Sequence, residues 1–233
     1  MTGFGADNGL NKSVGTGGGM RWTQHSEVTV YENPYLRVNL ADVELPDGRR
    51  LEHYLVRLPA VAMATIVNDR NEALLLWRHR FITGSWGYQL PSGMVDEGED
   101  IAAAAARELE EETGWRARGL RHLMTLEAAN GITDARHHIY WSDRAEYTGE
   151  PRDAFESDRR VWVPLADVPR LLRSGKLRAA ATVAAMLRLR QLSQPPPGAA
   201  SLNGAQLSQT GRHAGRGARR TVRKVPTDRL RGA

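Results

Sequence analysis

Glu108, Glu111 and Glu112, spaced by three and four positions, are the residues of this chain best arranged to do chemistry. On an α-helix, positions i, i+3 and i+4 share one face, so three carboxylates there crowd together and repel. A hard divalent cation removes that repulsion. Mg²⁺ takes oxygen ligands and divides its shell between a few carboxylates and the phosphates of a substrate. Arg107 precedes Glu111 by four positions and can hold it as an ion pair. Glu99 falls at the expected start of the same helix, where a carboxylate meets unpaired N–H groups and the positive end of the dipole. An isolated E-x-x-E-E string is more often just a solvated helix face, so the register of the surrounding residues has to decide.

That register is G-x5-E-x7-R-E-U-x-E-E-x-G-U, with U apolar, filled by Gly93, Glu99, Arg107, Glu108, Leu109, Glu111, Glu112, Gly114 and Trp115. The chain therefore resembles the Nudix hydrolases over about residues 20–190. The resemblance implies an α/β/α sandwich with a central mixed sheet, and a loop-helix-loop whose glutamates bind divalent cations that activate water against a diphosphate. By the same resemblance Glu108 and Glu112 are metal ligands and Glu111 is a ligand or its close support. Glu99 and Arg107 stand behind them, and the carbonyl of Ser92 is an additional ligand. The implied cofactor is Mg²⁺, with Mn²⁺ as a substitute.

Residues outside this box resemble the ADP-ribose pyrophosphatase branch. These are Gln89-Leu90-Pro91-Ser92-Gly93 leading into it, Arg80 and Trp86 ahead of it, the loop Asn130-Gly131-Ile132-Thr133-Asp134, and Val161-Trp162-Val163-Pro164-Leu165. Gln89 stands where that branch more often has Glu, Arg78-His79-Arg80 where Gln-aromatic-Arg is usual, and Ala135 where an acid is common. Arg80 could donate two parallel hydrogen bonds to a diphosphate, and is equally readable as a surface arginine at a strand end. Trp86 could stack on a base, although tryptophan more often packs. Asp134, in the loop that resembles this branch, is expected to be a further substrate contact. The expected general base is Glu156, in the connection before Val161, with Asp158 and Asp134 as rivals. His137 and His138 are adjacent on an expected strand, point to opposite faces and read as structural.

The elements that must hold these residues begin near Met20. Strand-like alternation over 28–30, 36–45 and 51–57, with Leu45-Pro46-Asp47-Gly48 as a turn, predicts an extra N-terminal antiparallel meander, residues 20–58. Family members of this type use such strands to dimerise, so a homodimer is implied. Residues 60–67 and 73–77 flank Asn68-Asp69-Arg70-Asn71 and predict two buried strands joined by a hairpin in the central sheet. No element is assigned across 84–93. The Ala/Glu/Leu-dense stretch 100–113 predicts the long helix, stopped by Gly114, with residues 102–106 giving it a slim face against the sheet. Strands are expected at 119–126, 135–142 and 159–163, with a loop at 128–134 and a polar connection at 143–158. A short helix to Arg173, a break at Ser174-Gly175 and a final amphipathic helix over 179–192 complete a domain spanning 59–192.

The flanks differ in kind. Residues 1–19 are Gly-, Asn- and Ser-rich and are expected to be disordered, as is the tail 193–233. Of the net charge of +5, the tail holds more than the whole: beyond residue 190 eight Lys or Arg face only Asp228, leaving the body slightly acidic. The tail could touch a nucleic acid, but a solvated extension is the simpler reading. No apolar run is long enough to span a membrane and no export signal is read, and with no cysteine the expected setting is the cytoplasm. Within the hydrolase reading the runner-up is a house-cleaning nucleoside triphosphate pyrophosphohydrolase. Outside it stands a nucleotide-sensing regulator with a nucleic-acid-binding tail.

Overall fold

The computed structural model of the chain describes residues 20–152 and 157–194. The expectations for 1–19, for most of the basic tail and for Glu156 therefore lie outside the described residues. Strands β1 (Thr23–Asn33), β2 (Leu36–Glu44) and β3 (Arg50–Arg57) form the antiparallel meander expected from their alternation. Gly48 takes a positive φ of 83° in the turn, and its N–H bonds to Leu45 O at 2.9 Å. β1 runs well beyond 28–30 because its ladder to β2, not its own weak alternation, sets its length.

The remainder is β4 (Val61–Ile66), β5 (Glu72–Arg80), a 3₁₀ turn (Phe81–Thr83), β6 (Ser85–Gln89), β7 (Ser92–Met94) and helix α1 (Ile101–Thr113). Then come β8 (Trp115–Ala117), β9 (Arg121–Glu127), β10 (Arg136–Ser142), β11 (Ala145–Tyr147), β12 (Arg159–Pro164), a second 3₁₀ turn (Leu165–Asp167), α2 (Val168–Arg173) and α3 (Ala180–Ser193). A mixed sheet has the order β7-β4-β10-β9, with β10 parallel to β4. An antiparallel sheet has the order β12-β5-β6, and β11 pairs with β8.

The expected hairpin of β4 and β5 within one sheet is not what forms. Asn68 does make the turn, its Oδ1 accepting from Arg70 N at 2.9 Å and Glu72 N at 3.0 Å, but only Val67 and Ala73 then bridge. Beyond that bridge each strand fills both edges with other neighbours: β4 with β10 and β7, β5 with β12 and β6. The stretch 84–93, assigned no element from sequence, supplies β6 and most of β7, strands of five and three residues that are too short to show a period. The polar connection likewise contains β11.

Both faces of the layer are covered, giving the α/β/α arrangement. Ala62, Ala64, Ile66 and Leu74 pack with Ala104, Ala105 and Leu109 of α1 on one side. On the other, Val67, Ala73 and Leu75 pack with Val168, Leu171, Ala185, Met186 and Leu189 of α2 and α3. Alternate residues of β4 and β5 thus serve opposite cores, as a period of two requires. Among the described residues no helix is long and apolar enough to cross a membrane.

Candidate active site

Helix α1 is fixed at both ends. Asp100 is its N-cap, Oδ1 accepting from Ala103 N at 2.9 Å, so the capping expected of Glu99 falls to its neighbour, whose shorter side chain suits that geometry. At the other end Gly114 adopts φ 73° and donates to Glu110 O at 2.7 Å, and a Cβ there would overlap Gly149 O. Alanines 104 and 105 bring the helix close to the small residues of β4.

Arg107 is the hub of the charged face. It reaches Glu99 Oε1 through Nε at 2.9 Å, Glu108 Oε1 through Nη1 at 2.6 Å and Glu111 Oε2 through the same nitrogen at 3.1 Å. Glu99 also accepts from Asp96 N at 3.1 Å, so one guanidinium ties the loop before the helix to two of the box carboxylates. The Arg107 bonds hold the Glu99 carboxyl below its ordinary range and raise the guanidinium's own affinity for its proton. Glu108 lies against the backbone of Gly93, where a Cβ would overlap its carboxylate. That contact gives a physical reason for glycine at the first position of the box.

Glu112 is buried, 2% exposed, with Oε1 bound to Arg78 Nη2 at 2.5 Å and Oε2 to Ser92 N at 2.9 Å. Arg78, itself 3% exposed, received no role from the sequence. The signal was present: counting by twos along β5 puts Arg78 on the face of Leu74 and Leu76, which are wholly buried, so a charged side chain there needs a buried partner.

Glu108, Glu111 and Glu112 share a helix face, but among the described residues no three acidic or histidine side chains converge on one point. Arg107 lies between Glu108 and Glu111, and Arg78 covers one oxygen of Glu112. The donor set nonetheless suits a hard cation. All its side-chain ligands are oxygens, and the backbone of Ser92 is held against Glu112. Arg78 reaches Glu112, and Arg107 reaches Glu99, Glu108 and Glu111, so each of these carboxylates has a guanidinium beside it. The further cation Arg152 stands 3.8 Å from Glu111 and is almost wholly in solvent.

The remaining candidates are spread around this face. Arg80 donates from Nε to Gln89 Oε1 at 2.8 Å across β5 and β6. Trp86 is 47% exposed, stacked on Trp77 with ring centroids 6.2 Å apart, so one of its faces is committed to packing. Asp134 accepts from Arg57 Nη1 at 2.8 Å, and Arg57 in turn grips Glu27 with Nε and Nη2 at 2.9 and 2.5 Å. Val56 N bonds to Ile132 O at 2.8 Å, and together these contacts tie the loop 128–134 to the N-terminal meander. Asp158 pairs with Arg159 at 3.0 Å, and its N–H donates to Trp77 O. His138 Nδ1 shares a hydrogen bond with Thr125, and burial lowers the proton affinity of both His137 and His138. A cavity of about 480 Å³ opens beside Glu111, between Arg107, Arg116 and Arg152.

Residues 56–185 match the family model of the NUDIX domain, and residues 22–56 match that of the nucleoside diphosphate sugar hydrolase N-terminal domain. The chain is 43% identical over 168 residues to a CMP-5'-(N-acetyl-N-hydroxy-3-aminopropyl)phosphonate hydrolase of Streptomyces rubellomurinus, covering 72% of this chain and 82% of that one. It is 25% identical over 169 residues to an ADP-ribose pyrophosphatase of Bacillus subtilis, covering 71% and 91%. A crystal structure of an ADP compounds hydrolase superposes with a TM-score of 0.65 at 26% identity, covering 74% of this chain and 94% of the other.

Proposed function

From the premise that this chain belongs to the Nudix hydrolases, enzymes that generally use a divalent metal, we propose that it cleaves the diphosphate of a nucleotide linked to a second group. ADP-ribose or a similar sugar nucleotide is the substrate, Mg²⁺ the metal, and AMP and a sugar phosphate the products. The observation that carries this reading is the intact box folded on α1, with Glu108, Glu111 and Glu112 on one face and the backbone of Gly93 and Ser92 against two of them.

When bound, the cation would lower the proton affinity of water and neutralise charge on the phosphate chain. Glu108, Glu112 and the Ser92 carbonyl would hold it, with Glu111 as ligand or support. Arg107, itself held by Glu99, keeps Glu108 and Glu111 from separating. Arg80 would leave Gln89 for the diphosphate, since a guanidinium forms stronger bonds to an anion than to an amide. The open face of Trp86 would take the base, and Asp134 a hydroxyl of the distal group. Glu156 would remove the proton from the attacking water as P–O bond cleavage releases AMP.

A homodimer is favoured by the meander, where Val28 lies opposite Leu40 and Leu40 opposite Tyr54. Val28 and Tyr54 are 62% and 60% exposed, so this apolar row spans three strands in water. A monomer in sedimentation at micromolar concentration would remove that part of the reading.

The 43% identity to a hydrolase named for a CMP-linked phosphonate supports a second substrate: a cytidine nucleotide joined through phosphorus to a phosphonate. Incubation with Mg²⁺ separates the two readings, with ADP-ribose, a CMP-linked phosphonate, nucleotide sugars and nucleoside triphosphates as arms. AMP with ribose 5-phosphate supports the first and CMP with free phosphonate the second. Pyrophosphate released from triphosphates would point to a house-cleaning enzyme. Silence in every arm would overturn the hydrolase reading.

A further inference from the structure

We infer that Arg78 is a resident counter-ion of the metal centre, competing with the divalent cation for Glu112 and so setting how tightly that cation is held. The inference rests on Glu112 being a metal ligand. Both oxygens of Glu112 are engaged, Oε1 by Arg78 Nη2 at 2.5 Å and Oε2 by Ser92 N at 2.9 Å, in a place where neither charged side chain meets water. A guanidinium does not shed its proton, so the positive charge is permanent and cannot be buried without a carboxylate beside it. A carboxylate taken from water equally needs a cation.

The pair therefore satisfies Glu112 without any metal, and a cation that binds Glu112 does so against a neighbouring positive charge. Arg78 is placed for this by β5, whose Leu74, Leu76 and Arg78 share one buried face, while Glu112 comes from the last turn of α1. Arg107, the other guanidinium of the cluster, touches Glu99, Glu108 and Glu111, so the two arginines divide the box carboxylates between them. Removal of Arg78 makes the metal-free protein less stable and its cation affinity higher, two changes of opposite sense from one substitution. A side chain that only positioned Glu112 would instead weaken cation binding when removed.

The test uses the full chain, Mn²⁺ as the probe, free Mn²⁺ measured by its paramagnetic resonance, and thermal unfolding in chelator. Relative to wild type, R78Q is expected to bind Mn²⁺ about tenfold tighter or more, and to unfold about 5 °C or more lower without metal. R78K keeps the charge and should restore most of both properties. Unchanged or weaker Mn²⁺ binding by R78Q overturns the inference while leaving the metal site intact, whereas no Mn²⁺ uptake by wild type overturns the metal site as well. Should R78Q not fold, R78Q/E112Q removes both buried charges and is expected to unfold near the wild-type temperature and above E112Q alone. A double variant less stable than E112Q would overturn the pairing.

Discussion

The carboxylate of Glu108 occupies the space that a Cβ on Gly93 would need. Glycine at this position therefore determines where a proposed metal ligand sits, even though Gly93 contributes no side chain of its own. Glu108 is a flexible side chain, so Gly93→Ala should fold but push the carboxylate aside. Turnover is expected to fall by ~10-fold or more, on the scale of misplacing a group that acts electrostatically. Kinetics and thermal unfolding of the purified variant check this, and near-normal turnover would mean that Glu108 works from a different position.

Glu112→Gln keeps the shape of the side chain but removes its charge. A loss of at least ~10²-fold in turnover is expected, as for removal of a principal electrostatic contributor. Steady-state assays with saturating Mg²⁺ measure it, and a small loss would put the metal on other ligands.

Arg57 links the loop 128–134 to the meander through Asp134 and Glu27. Arg57→Ala should cost about 1–3 kcal/mol of stability, the lower figures applying because the side chain is 30% exposed. If Asp134 contacts substrate, KM should rise more than kcat falls. Denaturant unfolding and a full kinetic analysis separate the two effects, and an unchanged KM would remove Asp134 from the substrate site.

The Arg57 guanidinium bonded to Glu27 lowers that carboxyl from its ordinary 4.5 to about 2. A depressed carboxylate binds its proton more readily when unfolded, so its contribution is complete above about 4.5 and disappears as pH falls through about 2. Thermal unfolding between pH 5 and pH 2, conditions about which the unfolded value predicts the onset, should show a steeper decline for wild type than for Glu27→Gln. Parallel curves would show that Glu27 is not held by Arg57 in solution.

Glu156→Gln tests the proposed base. Turnover should drop by ~10²-fold, and the acid limb of the rate against pH should flatten. Full activity would move the role to Asp158 or to Asp134, leaving the fold and the cation site as they are.

What could be read before folding depended on range. The box and α1 are legible because helix spacing is local: Glu108, Glu111 and Glu112 lie within five residues, and Asp100 and Gly114 punctuate the ends. The meander is legible for a similar reason, its strands pairing with their sequence neighbours across a short turn. The partition of β4 and β5 between two sheets was not, since an apolar run shows burial without naming the strand that will lie beside it. Arg78 and Glu112 are 34 residues apart, and only the tertiary fold, which brings the end of β5 to the last turn of α1, makes them a pair. Asp134 and Arg57 are 77 residues apart and are joined by the same kind of long-range placement.

The alanines of α1 against those of β4 also give the site a hidden means of adjustment. The altitude of the carboxylates above the sheet is dictated by Ala104 and Ala105, which lie one turn before Glu108 and contribute no ligand themselves. Bulkier residues there would act like shims beneath a lens mount, lifting every oxygen together while leaving the optics untouched. Ion selectivity, which turns on tenths of an ångström in ligand reach, would thus drift through substitutions at positions that hold no ligand at all.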